Sequence, residues 1–398
     1  MKKRVLILGA SRYYVRSIIA AKELGCEVIV VDRNPKAEGF RYADYHEAAD
    51  FSDIDRSLNV ATKYHIDGVV AVNDFGVKPA AVIAKEMGLV SISPQIAEYA
   101  TSKALMRSIW KNAGVPSPRF KVVRTLDESR AALSYLGTFP LILKPSDSRG
   151  GGSRGVSKID SEKQLEKAFI YAQSYYDDKK VVIEEYLDGI EHSVETITYN
   201  GDTYVLAVSD KVKTPPPYRV DKSIIYPTVF SGRKLQKIHD VVKAAVKAIG
   251  INVGAAHVEL CSTNEGPKLF ELGARCGGGG TPDPIVPFLT GIEMFKEVVR
   301  IALGEKPNNL KPLFQKACVY RFITPKVGIV KKVVGLDEVK SWEKVLDCDV
   351  LVSQGDSIRE VKSGGDRTGF LIAGGGTRDE AIDLADRAEK HIYFEYLD

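Results

Sequence analysis

The chain has 398 residues, room for two or three domains at roughly 150 residues each. With 44% hydrophobic and 27% charged residues it reads as an ordinary folded chain, which excludes a disordered polymer, a collagen-like repeat and a membrane bundle. Its 56 Lys and Arg against 52 Asp and Glu give a net charge of +4 with the signs interspersed, so nucleic acid is not the expected partner.

The chain opens on a strand, Arg4-Val-Leu-Ile-Leu8, whose apolar run is too short for a signal-peptide core. No apolar stretch of about 18 residues follows, so a cytoplasmic address with no membrane partner is expected. A helix near residues 13–24 and strands at Val28-Ile-Val-Val31 and Gly68-Val-Val-Ala71 continue a βαβ pattern, predicting a Rossmann-like domain over residues 1–100. The first turn, Gly9-Ala-Ser-Arg-Tyr-Tyr14, with Asp32 closing the second strand, has half the outline of a dinucleotide fingerprint. It lacks the second and third glycines, and Tyr13 and Tyr14 would obstruct a pyrophosphate, so a turn that binds no dinucleotide is favoured over NAD binding.

A helix carrying Thr101-Ser-Lys103 comes next, then Gly114-Val-Pro-Ser-Pro118, where two prolines suggest a joint. Leu141-Ile-Leu-Lys144 is an apolar strand that delivers a lysine and opens into the glycine-rich run 148–155. Glycines let backbone N–H groups turn toward phosphate oxygens and Lys144 adds a point charge, although a plain surface loop reads the same way in isolation. Val181-Val-Ile-Glu-Glu-Tyr-Leu187 is a strand ending in charge, followed by Glu191 and by a hairpin signal at Asn200-Gly201. The segment Lys211-Val-Lys-Thr-Pro-Pro-Pro-Tyr-Arg219 is either a lid offering Lys213, Tyr218 and Arg219 to a substrate or a solvated crossover.

Two alternating runs, Ala255-Ala-His-Val-Glu-Leu-Cys261 and Lys268-Leu-Phe-Glu-Leu-Gly-Ala-Arg275, flank a turn at Asn264-Glu-Gly266 and predict an antiparallel hairpin. With the turn centred on Glu265, Glu259 opposes Glu271. His257, Glu259, Glu271, Gly273 and Arg275 then share one face, and Val258, Leu260, Phe270, Leu272 and Ala274 the other. Opposed carboxylates with Cβ atoms roughly 5 Å apart repel unless a cation lies between them, and Mg²⁺ suits a two-carboxylate site completed by phosphates and water. A register slipped by one residue is the alternative. The glycines of Cys276-Gly-Gly-Gly-Gly-Thr-Pro-Asp-Pro284 would let backbone amides approach a substrate carboxylate. Cys276 reads as a small filler, and Cys26, Cys261, Cys276, Cys318 and Cys348 show no CxxC spacing and should stay reduced. From about Lys311 the chain reads as a small α+β domain, with a strand at Ala317-Cys-Val-Tyr-Arg-Phe322 and a helix near residues 379–391.

In this order, the lysine strand with its glycine loop, Glu-Glu-Tyr-Leu, and the acidic hairpin ending in Arg resemble the ATP-grasp superfamily, carboxylate–amine ligase branch. The resemblance implies a mixed α/β and α+β fold: a Rossmann-like preATP-grasp domain at 1–100, an ATP-grasp domain at 101–308 and a small α+β domain at 309–398. It implies that Lys103 and Lys144 touch the phosphates of ATP, with Ser148, Gly150, Gly151, Gly152, Ser153 and Gly155 as a flap. Glu184, Glu185, Tyr186 and Leu187 would hold adenine and Glu191 the ribose. Glu259 and Glu271 would hold Mg²⁺ or Mn²⁺ with His257 beside them, and Arg275 would brace the transferring phosphoryl group. The family usually has Asn where this chain has Gly273, which removes one metal ligand. The implied activity is ADP-forming ligation of a small-molecule carboxylate to an amine through an acyl phosphate, in a possible homodimer. Alternatives are a purine-pathway enzyme such as phosphoribosylglycinamide synthetase and a nucleotide-binding sensor without turnover.

Overall fold

The structure, a computed structural model, describes residues 2–149 and 151–397. Its first sheet is wholly parallel, in the order Tyr45–Ala48, Glu27–Asp32, Arg4–Leu8, Gly68–Ala71. Val5 to Leu8 and Val28 to Val31 are apolar at every position and fully buried, because helices cover both faces. Helices Val15–Glu23 and Met294–Ala302 pack on one side, Ile54–Tyr64 and Asp74–Met87 on the other. The first helix begins at Val15, after a 3₁₀ turn at Arg12–Tyr14. Gly9 has φ +120°, and an added Cβ there would meet the Tyr14 ring at 3.1 Å. Asp32 accepts the Ala10 N–H at 2.8 Å and the Asn34 N–H at 2.9 Å, so it braces this turn from within the chain.

Two antiparallel sheets follow. One, in the order Phe120–Val123, Val181–Glu185, Leu141–Pro145, Ser157–Ile159, packs on helices Leu126–Leu136 and Leu165–Gln173. The other, Asp202–Val208, Ile190–Tyr199, Gly254–Thr263, Gly266–Gly273, packs its apolar face on helices Gly232–Ile249 and Lys103–Asn112. Asn200 and Gly201 form the expected two-residue turn, with Tyr199 opposite Asp202 and positive φ of 51° and 82°, the twist that suits a hairpin.

A third sheet crosses the partition expected at residue 308. Asp210–Lys213 pairs with Asp221–Tyr226, which pairs with Ala317–Ile323, and the sheet continues into Gly369–Gly375 and Val345–Val350. Helix Arg378–His391 covers its C-terminal part, and main-chain hydrogen bonds between Asp221–Tyr226 and Ala317–Ile323 join this portion to the central one. Among the described residues no helix is long and apolar enough to cross a membrane.

Candidate functional site

A cavity of about 850 Å³ lies where the sheets and the first parallel sheet meet. The hairpin Gly254–Thr263/Gly266–Gly273 supplies its floor. The turn is one residue tighter than expected, since Thr263 pairs with Gly266 and Leu260 with Leu269. A bulge then absorbs one residue at Phe270 and restores Glu259 opposite Glu271. The expected carboxylate pair therefore stands, while the expected apolar face needs one correction. Leu269, fully buried, takes the place assigned to Phe270, and Phe270 turns toward the cavity because a bulged residue shares the side of its neighbour.

Each member of the pair has a lysine. Glu259 is bonded by Lys211, and Glu271 lies 3.0 Å from Lys103 Nζ. Lys103 is the first residue of its helix, whose cap Ser102 accepts the Leu105 N–H, and its Nζ also donates to the Asp147 carbonyl at 3.2 Å. His257 Nε2 stands 3.4 Å from Glu259, and its Nδ1 bonds Glu195. Burial works against a charged His257, but Glu195 overrides it and raises the imidazole to about 9. Glu259 is likewise opposed by burial and held well below the carboxylate range by Lys211 and His257. No three His, Cys, Asp or Glu side chains among the described residues converge to hold a metal alone. Two opposed carboxylates, needing phosphate and water to finish the shell, fit a Mg²⁺-type ion better than zinc.

Lys144, on strand Leu141–Pro145, lies 2.5 Å from Glu184, whose other oxygen accepts from Arg107 at 2.9 and 3.0 Å. Burial, with Arg107 adding to it, pushes Lys144 down to about 8 despite Glu184. Glu184, expected beside adenine, is thus a buried carboxylate engaged by two cations. Glu185 pairs with Arg119 at 3.0 Å and Lys268 at 3.3 Å. The Tyr186 N–H is taken by the Pro140 carbonyl, the Leu187 carbonyl accepts from Cys261 Sγ at 3.7 Å, and both residues line the cavity. The Tyr186 ring lies between Lys158 and Arg219, 4.9 and 5.6 Å from its centroid.

In the segment after Lys211 the charged side chains are paired while Pro215, Pro216 and Pro217 are exposed. Lys213 bridges Glu191 at 2.9 Å and Asp221 at 2.8 Å, and Arg219 bonds Glu191 at 2.7 Å. Asp221, opposed by burial, is drawn down to about 2 by Lys211 and Lys213. Ser153 of the glycine run donates to the Arg219 carbonyl at 3.2 Å, and the Gly364 N–H donates to the Gly152 carbonyl at 2.7 Å. The run is therefore tied on one side to the proline segment and on the other to the C-terminal portion. Ser148 is buried, Gly151, Gly152 and Gly155 take positive φ, and Gly150 lies outside the described residues.

Arg275 closes the far end of the floor. Its Nε and Nη2 bond the two oxygens of Asp74 at 3.0 and 2.8 Å, and Nη1 bonds the Cys276 carbonyl at 3.0 Å. A Cβ on Gly273 would come within 2.9 Å of Asp74 Oδ1 and 3.2 Å of the Arg275 guanidinium carbon. The missing Asn thus has a structural reason: the Arg275–Asp74 pair occupies its space. Of the glycines after Cys276, the Gly277 N–H is taken by Glu195 at 2.9 Å, which corrects the expectation for that amide, while Gly278 and Gly279 line the cavity. Cys276 is buried with its thiol pKa pushed up by burial, as suits a filler.

Sequence reasoning missed Asp74, Arg107, Glu195, Asp221 and Arg367. Each comes from a distant segment and sits in no local motif; periodicity of a strand or helix marks the first four as inward-facing, and Arg367, between a 3₁₀ turn and a strand, has no such mark.

With this geometry in hand, comparison with known proteins is informative. Residues 137–283 match the ATP-grasp domain family, and residues 321–397 match the L-amino acid ligase C-terminal domain 2 family. The chain thus carries an ATP-grasp domain followed by an L-amino acid ligase C-terminal domain. Alanine–anticapsin ligase of Bacillus subtilis (strain 168) is 30% identical over 58% of this chain, which spans 53% of that protein's length. The L-amino acid ligase of Bacillus licheniformis superposes with a TM-score of 0.85 at 23% identity, covering 100% of this chain and 99% of that one. Phosphoribosylglycinamide synthetase from Anaerococcus prevotii gives a TM-score of 0.78 at 25% identity over 100% of both chains.

Proposed function

We propose that the protein transfers the γ-phosphoryl group of ATP to a small-molecule carboxylate and couples the acyl phosphate to an amine. In the first step a carboxylate oxygen bonds the γ-phosphorus and the bond to the β-phosphate oxygen breaks, releasing ADP. In the second the amine nitrogen bonds the acyl carbon, the C–O bond to phosphate breaks, and one proton leaves the nitrogen, giving amide and inorganic phosphate. The observation that carries this reading is the convergence of Lys103, Lys144 and Arg275 around the opposed carboxylates Glu259 and Glu271 in one cavity.

Such chemistry asks the protein for position and charge, not for a nucleophile. Lys103 and Lys144 would hold the β- and γ-phosphate oxygens, and Arg275, aimed by Asp74, would brace the phosphoryl group in transfer. Glu259 and Glu271 would hold a divalent cation, Mg²⁺ in the first place, whose charge neutralises phosphate oxygens when bound. Glu184 would act chiefly as counterion of Lys144, with Glu185, Tyr186 and Leu187 bordering the base and Glu191 the ribose. The glycine run, tied to the proline segment at Ser153 and to Gly364, would exclude water while the mixed anhydride exists. The match of the C-terminal residues to an L-amino acid ligase family supports amino-acid chemistry over a purine precursor.

The test incubates protein, Mg²⁺ and ATP with pooled amino acids and small carboxylic acids, and separates nucleotides and products by chromatography. ADP that forms only with the pool, together with a condensed mass, supports the proposal. AMP instead of ADP would overturn it, and nucleotide binding without either product would favour the sensor.

A further inference from the structure

One wall of the cavity carries a cation that phosphoryl transfer as proposed does not use. Arg367 follows the 3₁₀ turn Gly364–Asp366 and precedes strand Gly369–Gly375 of the shared sheet, so its position is fixed by a rigid element. Its guanidinium carbon lies 3.5 Å from the centroid of the Phe322 ring. Nη2 donates to the Asp221 main-chain oxygen at 2.9 Å. The nearest carboxylate oxygen of Asp221 is 4.0 Å away, and that carboxylate is already shared by Lys213 at 2.8 Å and Lys211 at 3.5 Å. Nε is buried with no hydrogen-bond partner among the described residues.

A guanidinium that is largely buried, stacked on an aromatic face and short of an anion is poorly compensated, and its planar fork suits a carboxylate. Burial holds its pKa below the usual arginine value, against the pull of Asp221. Beside it lie Tyr13 and Phe370, centroids 6.5 Å apart, and all of these line the cavity. The contacts from Arg367 to Asp221, from Asp221 to Lys211 and from Lys211 to Glu259 join it to the carboxylate pair, and Tyr13 brings the first turn of the parallel sheet to the same wall of the cavity. A carboxylate held there is not the one being phosphorylated, which must sit with Lys103, Lys144 and Arg275.

We propose that Arg367 is a specificity-determining residue that holds the unactivated carboxylate of the amine-bearing substrate, whose side chain lies against Tyr13, Phe322 and Phe370. This rests on the ligase reading above. The site would then select amines that carry a carboxylate, and favour apolar or aromatic ones among them.

The experiment compares wild type, Arg367→Gln and Arg367→Lys in two formats. In steady-state coupling with the amino acid found in the pool screen, Arg367→Gln should raise the acceptor KM by about ten- to a hundredfold, the loss of a charge-assisted pair. The KM for ATP should stay within about twofold, Arg367→Lys should recover part of the loss, and the corresponding amino-acid carboxamide should not distinguish the proteins. Equal losses for amino acid and carboxamide would overturn the proposal. A change confined to the KM for ATP would do so too, assigning the anion to a phosphate. The second format is a thermal shift of each protein with pooled amino acids against pooled carboxamides, which needs no turnover. A shift by the carboxylates that Arg367→Gln abolishes supports the site even if no ADP forms, and an equal shift or none rejects it.

Discussion

Arg275 and Asp74 grip one another through two parallel hydrogen bonds, Nε to Oδ1 at 3.0 Å and Nη2 to Oδ2 at 2.8 Å. Arg275 lies just past the acidic hairpin and Asp74 is the first residue of helix Asp74–Met87, so this fork ties the first parallel domain to the floor of the site. Both groups are nearly buried, and a bidentate pair in that setting fixes direction as well as charge.

Asp74→Asn should therefore weaken catalysis through aim. With the fork lost, Arg275 would turn out of line, and kcat for ADP formation should fall by about ten- to a hundredfold, the scale of a small misplacement at a reacting centre. The KM for ATP should move little, because Lys103 and Lys144 remain. Steady-state kinetics with each substrate saturating in turn would separate the two effects, and a pure KM change would contradict the role.

Gly273→Asn restores the residue usual in the superfamily, and its effect discriminates between a lost ligand and a steric need. Since a Cβ at 273 would press on Asp74 Oδ1 and the Arg275 guanidinium, the pair must part. ADP formation should drop by about tenfold or more at any Mg²⁺ concentration. Combining it with Asp74→Ala should lose less than the two changes multiplied, because the clash is gone. Activity that rises, with a lower Mg²⁺ requirement, would show that the position simply lacks a ligand.

The pH profile should report Lys144. Burial first, and Arg107 second, bring it to about 8, with Glu184 and Glu271 pulling the other way and Phe270 covering it. In the free protein the ammonium is charged below that pH and neutral above it, so attraction for phosphate is lost as pH rises. The kcat/KM for ATP should be flat below about 8 and fall by about tenfold per unit above it, since this parameter follows the free enzyme. Lys144→Arg should remove the break at the cost of a lower plateau.

Much of the floor was legible before any coordinates. The alternation of Val258, Leu260 and Leu272 fixes which hairpin face is apolar, and the turn residues limit the register to within one position. The bulge at Phe270 was invisible, because the sequence does not say where a tighter turn returns its extra residue. Partners from distant segments were also hidden. Nothing near Asp74 in sequence announces Arg275, and Glu195 reads as one more residue of an alternating strand although it holds both His257 and Gly277. Gly273 looked like a deficit for the same reason: the side chains that fill its space come from residue 74 and from beyond its own strand.

The most direct test of the acyl phosphate labels both oxygens of the activated carboxylate with ¹⁸O and follows the label during coupling by ³¹P NMR and mass spectrometry. One labelled oxygen should leave with inorganic phosphate in each turnover, with none in the nucleotide. Label found in AMP, or phosphate without label while the amide forms, would contradict the mechanism.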